Sequence, residues 1–133
     1  MNYRERFEAA RVPDAGEFSG RYAVSLSVPL MKRIRFFGHF KSFPDGDGDR
    51  GFNCFLGLIR IGAFRLERGA STMPDGLEVM KIIYDDRSNP LPLRMLTDEV
   101  REERPGFCFC RGVVDILGKP VVVMYFTLEK LEG

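Results

Sequence analysis

Three cysteines and one histidine are the residues of this chain whose types favour metal or redox chemistry. Cys108 and Cys110 lie one residue apart in "PGFCFCRGVV", far along the chain from Cys54 and His39. Structural zinc usually takes ligand pairs two to four residues apart on turns. These two cysteines instead alternate with phenylalanines, as they would along a strand. We therefore expect free thiols that pack as small apolar side chains, and no metal site.

The loop "PDGDGDRG" resembles the start of a calcium-binding loop, because Asp45, Asp47 and Asp49 are spaced two apart. A calcium loop needs glycine at its sixth position and a bidentate glutamate at its twelfth, and this chain has Arg50 and Leu56 there. Glycine and aspartate are also the residues that turns prefer. We interpret the segment as a polar loop.

Three side chains are candidates for proton transfer: His39, Tyr84 and Asp85. His39 is the one residue whose ordinary pKa lies near neutrality, and it faces the interior only if Gly38 forms a bulge. Tyr84 follows two apolar residues of the same parity, so its hydroxyl must find a partner on an apolar face. Asp85 is either a strand-end turn residue or a catalytic carboxylate.

Arg94 lies between Leu93 and Met95 in a segment of apolar character. If its side chain points inward, the buried cation needs a carboxylate, either from the protein or from the acid group of a ligand. If it points outward, it is an ordinary surface arginine. The inward alternative is how a small barrel holds an acidic lipophile.

The elements that position these side chains are mainly strands, because the apolar period is two from Gly20 onward. Roughly eight short strands separated by turn signals predict an antiparallel all-β sandwich or barrel, and closure into a barrel removes exposed edges. Gly38 is a candidate bulge, and we expect two short strands broken near Gly62 and, after the loop "RSNPLPL", a strand that carries Arg94. A barrel of this size is either filled by side chains or holds one small ligand.

The amino-terminal stretch "NYRERFEAARV" has a helical apolar spacing that ends before Pro13. We therefore predict a single domain over residues 1–133, in which 1–16 form a helical cap and 17–133 form the barrel. The formal net charge of +1 gives no electrostatic reason to bind nucleic acid. No signal peptide and no apolar run of about 18 residues is present, so we predict a cytoplasmic protein without membrane insertion.

The carboxyl-terminal half carries a pattern known from one group of families. A strand with Met80 to Asp85 is followed by Pro90 or Pro92, an arginine at Arg94, and a final aromatic strand, "YFTLE", from Tyr125 to Glu129. This half resembles the lipocalin-like GXWXG-type families of unknown function. The resemblance implies a calycin-type β-barrel that can carry an internal pocket, and it implies no reaction.

Our first functional hypothesis is a barrel that binds a small hydrophobic or amphipathic molecule in its interior, without a cofactor. Either the cysteines of "GFCFC" or the phenylalanines face that interior. The predicted ligand-binding residues are Phe36, Phe40, Phe64, Met80, Ile82, Tyr84, Arg94, Phe109, Met124 and Phe126.

Two alternatives stay open on the sequence. The first is an isomerase or cyclase that uses the same cavity, with His39 and Tyr84 as acid and base. The second is a filled barrel that serves as an interaction subunit, such as a homodimer. No nucleophile elbow, P-loop, dinucleotide fingerprint or zinc-protease motif occurs in the chain.

Overall fold

The computed structural model of the chain is a closed antiparallel β-barrel of eight strands with a short amino-terminal helix. The structure describes residues 2–13, 19–27, 34–43, 49–55 and 59–131. Its elements are α1 (Tyr3–Ala9), β1 (Gly20–Ser27), β2 (Ile34–Phe43), β3 (Arg50–Phe55), β4 (Ile59–Ala70), β5 (Glu78–Ile83), α2 (Leu91–Arg94), β6 (Leu96–Arg104), β7 (Phe107–Ile116) and β8 (Lys119–Lys130). The predicted all-β barrel is confirmed.

Each strand pairs with the next one along the chain, and β8 pairs with β1 to close the barrel. Neither sheet edge is therefore left open. Because the strands run alternately up and down, the last residues of β3, β5 and β7 and the first residues of β4, β6 and β8 lie at one end of the barrel. We call this the α2 end, since α2 belongs to the β5–β6 connection.

The side chains that face inward form one continuous apolar cluster. In the half of the barrel away from the α2 end, Tyr22, Phe43 and Leu128 fill the interior, and the Tyr22 and Phe43 rings meet edge to face at 5.3 Å between centroids. Cys108 and Cys110 belong to this cluster and are fully buried. The structure therefore settles which residues of "GFCFC" face inward: the cysteines do.

A second apolar cluster lies on the outside of the barrel, beneath α1. Phe7 of the helix is fully buried, and Tyr3 lies 5.7 Å from the ring of Phe109 on β7. Asn2 and Glu5 form a capping box that fixes the start of α1. The predicted helix is confirmed but shorter than the predicted cap, because Ala10 is already extended.

Next to this cluster, a buried ion network connects the β4–β5 loop to β6 and β7. Arg111 donates to Glu99 at 2.8 Å and to Asp75 at 3.0 Å, and Glu99 also accepts from Ser71 at 2.7 Å. Arg111 and Glu99 are both nearly inaccessible to solvent. Since each buried charge is paired and hydrogen-bonded, the network can hold the loop against the barrel without leaving an isolated ion.

Two irregularities in strand pairing occur near Gly38, the candidate bulge, and near Gly62, the predicted break. Between β1 and β2 the register shifts from Ala23 opposite Phe40 to Ser25 opposite Arg35, across the stretch that contains Gly38. Between β3 and β4 the register shifts near Gly62, whose φ of 66° is left-handed. β4 nevertheless continues through Gly62, so the predicted break between strands at that glycine is wrong.

The predicted strand around Arg94 is also wrong. Residues Leu91–Arg94 form the short helix α2, and β6 begins at Leu96. Prolines are tolerated in the first turn of a helix, where the backbone N–H has no partner within the helix. No helix in the part of the chain that the structure describes is long and apolar enough to span a membrane.

Candidate functional site

A cavity of about 310 Å³ occupies the interior toward the α2 end of the barrel. This volume lies at the lower end of the roughly 300–1,000 Å³ of small-molecule sites. Most of its wall is apolar, and its polar side chains come from β2, β3, β6 and the residue after β5. The lining residues are Val24, Leu26, His39, Lys41, Asn53, Ile61, Gly62, Tyr84, Leu93, Leu96, Asp98, Met124 and Phe126.

The strand register brings the polar groups of the cavity together. Lys41 on β2 is directly opposite Asn53 on β3, and Asp98 on β6 is opposite Ile82 on β5. Facing residues of paired strands project from the same side of a sheet, so both pairs project into the barrel. Tyr84 follows β5 directly and adds its hydroxyl to the same cluster.

These groups form a continuous hydrogen-bond network inside the barrel. The Lys41 ammonium donates to Asn53 Oδ1 at 2.7 Å and to the Tyr84 hydroxyl at 2.5 Å, and it lies 3.4 Å from Asp98 Oδ2. The Tyr84 hydroxyl donates to Asp98 Oδ2 at 2.7 Å. Asn53 Nδ2 donates to the carbonyl of Gly62 at 3.0 Å, which fixes the orientation of the amide. We call Lys41, Asn53, Tyr84 and Asp98 the polar network.

Aromatic rings surround the ammonium of Lys41 as well. Its Nζ lies 5.2 Å from the ring centroid of Tyr84, 5.8 Å from that of Phe126 and 5.9 Å from that of Phe64. A desolvated cation within about 6 Å of a ring face is attracted by the ring quadrupole. The rings therefore offset part of the cost of removing this lysine from water.

Burial shifts the protonation equilibria of the network. Loss of solvation lowers the pKa of Lys41 and raises the pKa of Asp98, and the attraction between the two charges opposes both shifts. Burial also raises the pKa of Tyr84, and the neighbouring Asp98 raises it further. Tyr84 is therefore a neutral hydrogen-bond donor at physiological pH.

His39 lies beside this network with a defined tautomer. Its Nε2 is 3.1 Å from Asn53 Oδ1, and that oxygen can only accept, so Nε2 carries the proton and donates. Burial lowers the pKa of His39 to about 4, and the nearby Lys41 charge adds to the effect. The imidazole is therefore neutral at physiological pH.

One oxygen of the polar network is left over. Asp98 is 2% exposed, and its Oδ2 is engaged by Tyr84 and Lys41, whereas its Oδ1 has no hydrogen-bond partner among the residues that the structure describes. A buried polar atom without a partner is rare in folded proteins, and this one belongs to a side chain that lines the cavity.

The structure brings together some of the residues that the sequence predicted for the site. Tyr84, Met124 and Phe126 line the cavity. Phe64, Met80 and Ile82 belong to the same interior cluster but do not line the cavity itself. His39 lies at the cavity wall, as expected for a bulge near Gly38.

Two other predicted ligand-binding residues, Phe109 and Phe40, do not line the cavity. Phe109 faces the outer cluster under α1, because the cysteines take the inward side of β7. Phe40 is half-buried beneath Arg21, 5.4 Å from ring centroid to guanidinium, because the next residue, Lys41, takes the inward position on β2. The side chain of Phe36 lies outside the described residues.

Arg94 and Asp85 do not reach the cavity either. The side chain of Arg94 is exposed on α2, so the inward cation that the sequence left open is not formed. Asp85 is exposed and pairs with Arg65 at 3.1 Å, which lowers the pKa of that carboxyl. Asp85 is therefore a surface turn residue that does not line the cavity.

The cysteines have no metal partners in the described structure. All three are free and buried, and no three His, Cys, Asp or Glu side chains within the described ranges are grouped as a metal site. Burial raises the pKa of the Cys108 thiol to about 12 and raises that of Cys110 as well, so both stay protonated. Of the aspartates in the calcium-like loop, Asp45 and Asp47 lie outside the described residues.

Sequence reasoning missed Lys41, Asn53 and Asp98, which form most of the polar network. A signal existed for Lys41, since it shares its parity with His39 and Phe43 on β2. Asp98 shares its parity with Leu96 and Val100, two apolar residues of β6. In both cases a charged residue takes an apolar position in an alternating strand.

A second depression, of about 780 Å³, lies at the opposite end of the barrel. Charged residues of both signs line it, among them Arg21, Arg104, Glu129 and Lys130. It lacks the mostly apolar wall that is typical of a ligand site. The cavity at the α2 end is therefore the better candidate.

The fold and the cavity define the class: an eight-stranded up-and-down β-barrel whose interior is part filled and part hollow. The chain matches no family model, no curated protein and no solved structure. Any statement about function therefore depends on the geometry of the site.

Proposed function

We propose that this protein binds one small apolar or amphipathic molecule inside its barrel. The observation that carries the proposal is the cavity of about 310 Å³, with apolar walls and a compact polar network on one side. Ligand sites combine a mostly apolar lining with few, well-placed polar groups. The lipocalin-like family, the cytoplasmic location and a homodimer stay predictions beside this proposal.

The enzymatic alternative has less support. It depended on His39, Tyr84 and Asp85, and Asp85 lies on the surface in an ion pair with Arg65. A general base works best when its pKa lies near the working pH, and the pKa of His39 is lowered to about 4. The raised pKa of Tyr84 suits a hydrogen-bond donor better than a base.

A fluorescent apolar probe tests the proposal. We expect N-phenyl-1-naphthylamine to bind with saturation at one molecule per chain, with the rise in emission that an apolar site gives. Met124→Trp should weaken that binding by roughly tenfold or more, because the larger side chain fills a cavity wall.

Val123→Trp is the matched control, since Val123 is the neighbouring residue on β8 and is 50% exposed. It should leave the affinity for the probe unchanged. The chain contains no tryptophan, so each variant also gives a single-site fluorescence signal. Absence of saturable binding, or equal loss in both variants, contradicts the proposal.

A further inference from the structure

We infer that the molecule in the cavity presents a neutral hydroxyl group, such as that of an aliphatic alcohol, to Oδ1 of Asp98. The inference rests on the proposed function and adds the class of ligand. It starts from the carboxylate oxygen that has no partner among the described residues, on a side chain that lines the cavity and is 2% exposed.

The polar network itself cannot satisfy this oxygen. Tyr84 already accepts from Lys41 and donates its one proton to Oδ2 of Asp98. Lys41 has three N–H groups, and its ammonium is already surrounded by three acceptors: Asn53, Tyr84 and Asp98 Oδ2. A partner for Oδ1 must therefore come from outside this network.

A ligand carboxylate is a poor partner for this site. It would lie beside the Asp98 carboxylate, and like charges repel strongly in an apolar interior. Lys41 already donates to Asn53 and Tyr84, and its charge is balanced by Asp98 Oδ2 at 3.4 Å. Arg94, the residue that an acidic ligand would need, is exposed on α2.

A ligand cation is also disfavoured. Lys41 lies 3.4 Å from Asp98, so the pair already balances its charges. A second cation would approach the ammonium of Lys41 in surroundings that screen charge weakly. A neutral group leaves the balance of the buried pair unchanged.

The Lys41 ammonium beside Asp98 favours the ionised carboxylate, and a hydroxyl donates a hydrogen bond to Oδ1 of that form. An ether oxygen can only accept, so it finds no donor at the ionised Oδ1. The apolar walls, among them Val24, Leu26 and Phe126, would then hold the hydrocarbon part of the alcohol.

Four ligands of similar size test the inference, and their affinities are measured by displacement of N-phenyl-1-naphthylamine. They are 1-decanol, decanoate, decylamine and 1-methoxynonane, each kept below the concentration at which it forms micelles. We expect 1-decanol to bind at least tenfold more tightly than each of the other three at pH 7.5. 1-Methoxynonane has the same number of heavy atoms as 1-decanol and lacks only the donor.

A double variant, Lys41→Met with Asp98→Leu, removes both buried charges together and so avoids leaving one of them alone. In this variant we expect 1-decanol and 1-methoxynonane to bind equally. Retention of the tenfold preference there would show that Asp98 is not its source and would overturn the inference.

The wild-type series also decides the matter without any variant. Equal or tighter binding of decanoate, decylamine or 1-methoxynonane overturns the inference, and in that case the binding function itself still stands. If the fluorescent probe has no saturable site, the proposed function fails and the inference fails with it.

Discussion

Lys41 and Asp98 are a pair of opposite charges buried inside the barrel, and removing them from water is costly. Each side chain is nearly inaccessible to solvent. Burial lowers the pKa of Lys41 and raises the pKa of Asp98, so it favours the neutral form of both. Their mutual attraction and the bonds to Tyr84 and Asn53 offset that cost. A buried pair of this kind is weak evidence for stability and better evidence for a site.

Lys41→Met should lower the free energy of unfolding by about 3–5 kcal/mol, because it leaves Asp98 as an unpaired buried carboxylate. The double variant with Asp98→Leu should be closer to the wild type than Lys41→Met alone. Urea denaturation followed by circular dichroism measures both differences. A double variant that is less stable than the single one would contradict the assignment of a buried pair.

His39 gives the protein a dependence of stability on pH. Its pKa is about 4 in the folded state and about 6.5 in the unfolded state. Its stabilising contribution is therefore fully present above pH 6.5 and is lost as the pH falls toward 4, because the unfolded chain takes up the proton first. Allowing for partial exposure of the ring, the loss is roughly 1–3 kcal/mol.

Urea denaturation at intervals between pH 7.5 and pH 4.5 measures this loss. His39→Gln keeps a donor for Asn53 and cannot titrate, so its stability should fall less than that of the wild type. The difference between the two proteins removes the contribution of the carboxyl groups. If the free energies of unfolding of the two proteins fall in parallel with pH, His39 is as well solvated in the folded state as in the unfolded state.

Sequence reasoning located Tyr84 and failed for Lys41 and Asp98 for one physical reason. A tyrosine on an apolar face is common, because its ring packs and only its hydroxyl needs a partner. A charged residue on an apolar face is costly unless a second charge lies opposite. That second charge lies 57 residues away in the chain and across the barrel, so neither residue reveals the other.

At the scale of elements, β4 depends on the backbone conformation of Gly62. Its φ is 66°, and a Cβ at this position would lie 2.8 Å from Asn53 Nδ2, the group that Gly62 holds by its carbonyl. The bulge and the polar network are therefore coupled. A side chain at position 62 would strain the backbone of the bulge and displace the Asn53 amide of the polar network.

Gly62→Ala should lower the free energy of unfolding by at least about 1–2 kcal/mol, the cost of a left-handed conformation for an L-residue. Gly69→Ala is the matched control on the same strand, because a Cβ there meets nothing within 4 Å. The control should be neutral or stabilise by up to about 1 kcal/mol. Thermal or urea denaturation compares the two, and equal effects would contradict the role of Gly62.

The strands were more predictable than the connections. The existence of β1, β7 and β8 follows from the sequence period of two and the flanking turn residues, although β1 and β7 are buried on both faces over most of their length. The helix α2 was missed because the segment "NPLPL" has two prolines, which favour a loop unless they fall in a first turn. In the structure the prolines do lie at the start of α2, and Leu93 of this helix packs against the interior cluster at the cavity.

At the scale of the whole molecule, closure into a barrel was predictable and the division of its interior was not. Eight strands without a covering layer must close or leave edges exposed. Which half is filled depends on register, and the pairing shifts between β1 and β2 and between β3 and β4 change which residues face inward. The alternation of apolar and polar residues therefore does not predict which side chains face inward beyond such a shift.

The interior of the barrel has a filled half and a hollow half. Aromatic and cysteine side chains fill the half of the barrel away from the α2 end, and the outer cluster under α1 adds to its packing. The other half keeps a cavity around the polar network. The filled half can supply stability, and the hollow half leaves room for the ligand that we propose.

Methionine-methyl nuclear magnetic resonance can locate the ligand inside the barrel, because each methyl signal reports on its own surroundings. Met124 lines the cavity, whereas Met73 lies in the loop between β4 and β5 at the other end of the barrel. On titration with 1-decanol, we expect a saturable shift of the Met124 signal at one molecule per chain and an unchanged Met73 signal. Saturable binding that leaves the Met124 signal unmoved, or no saturable shift at all, would rule out binding in this cavity.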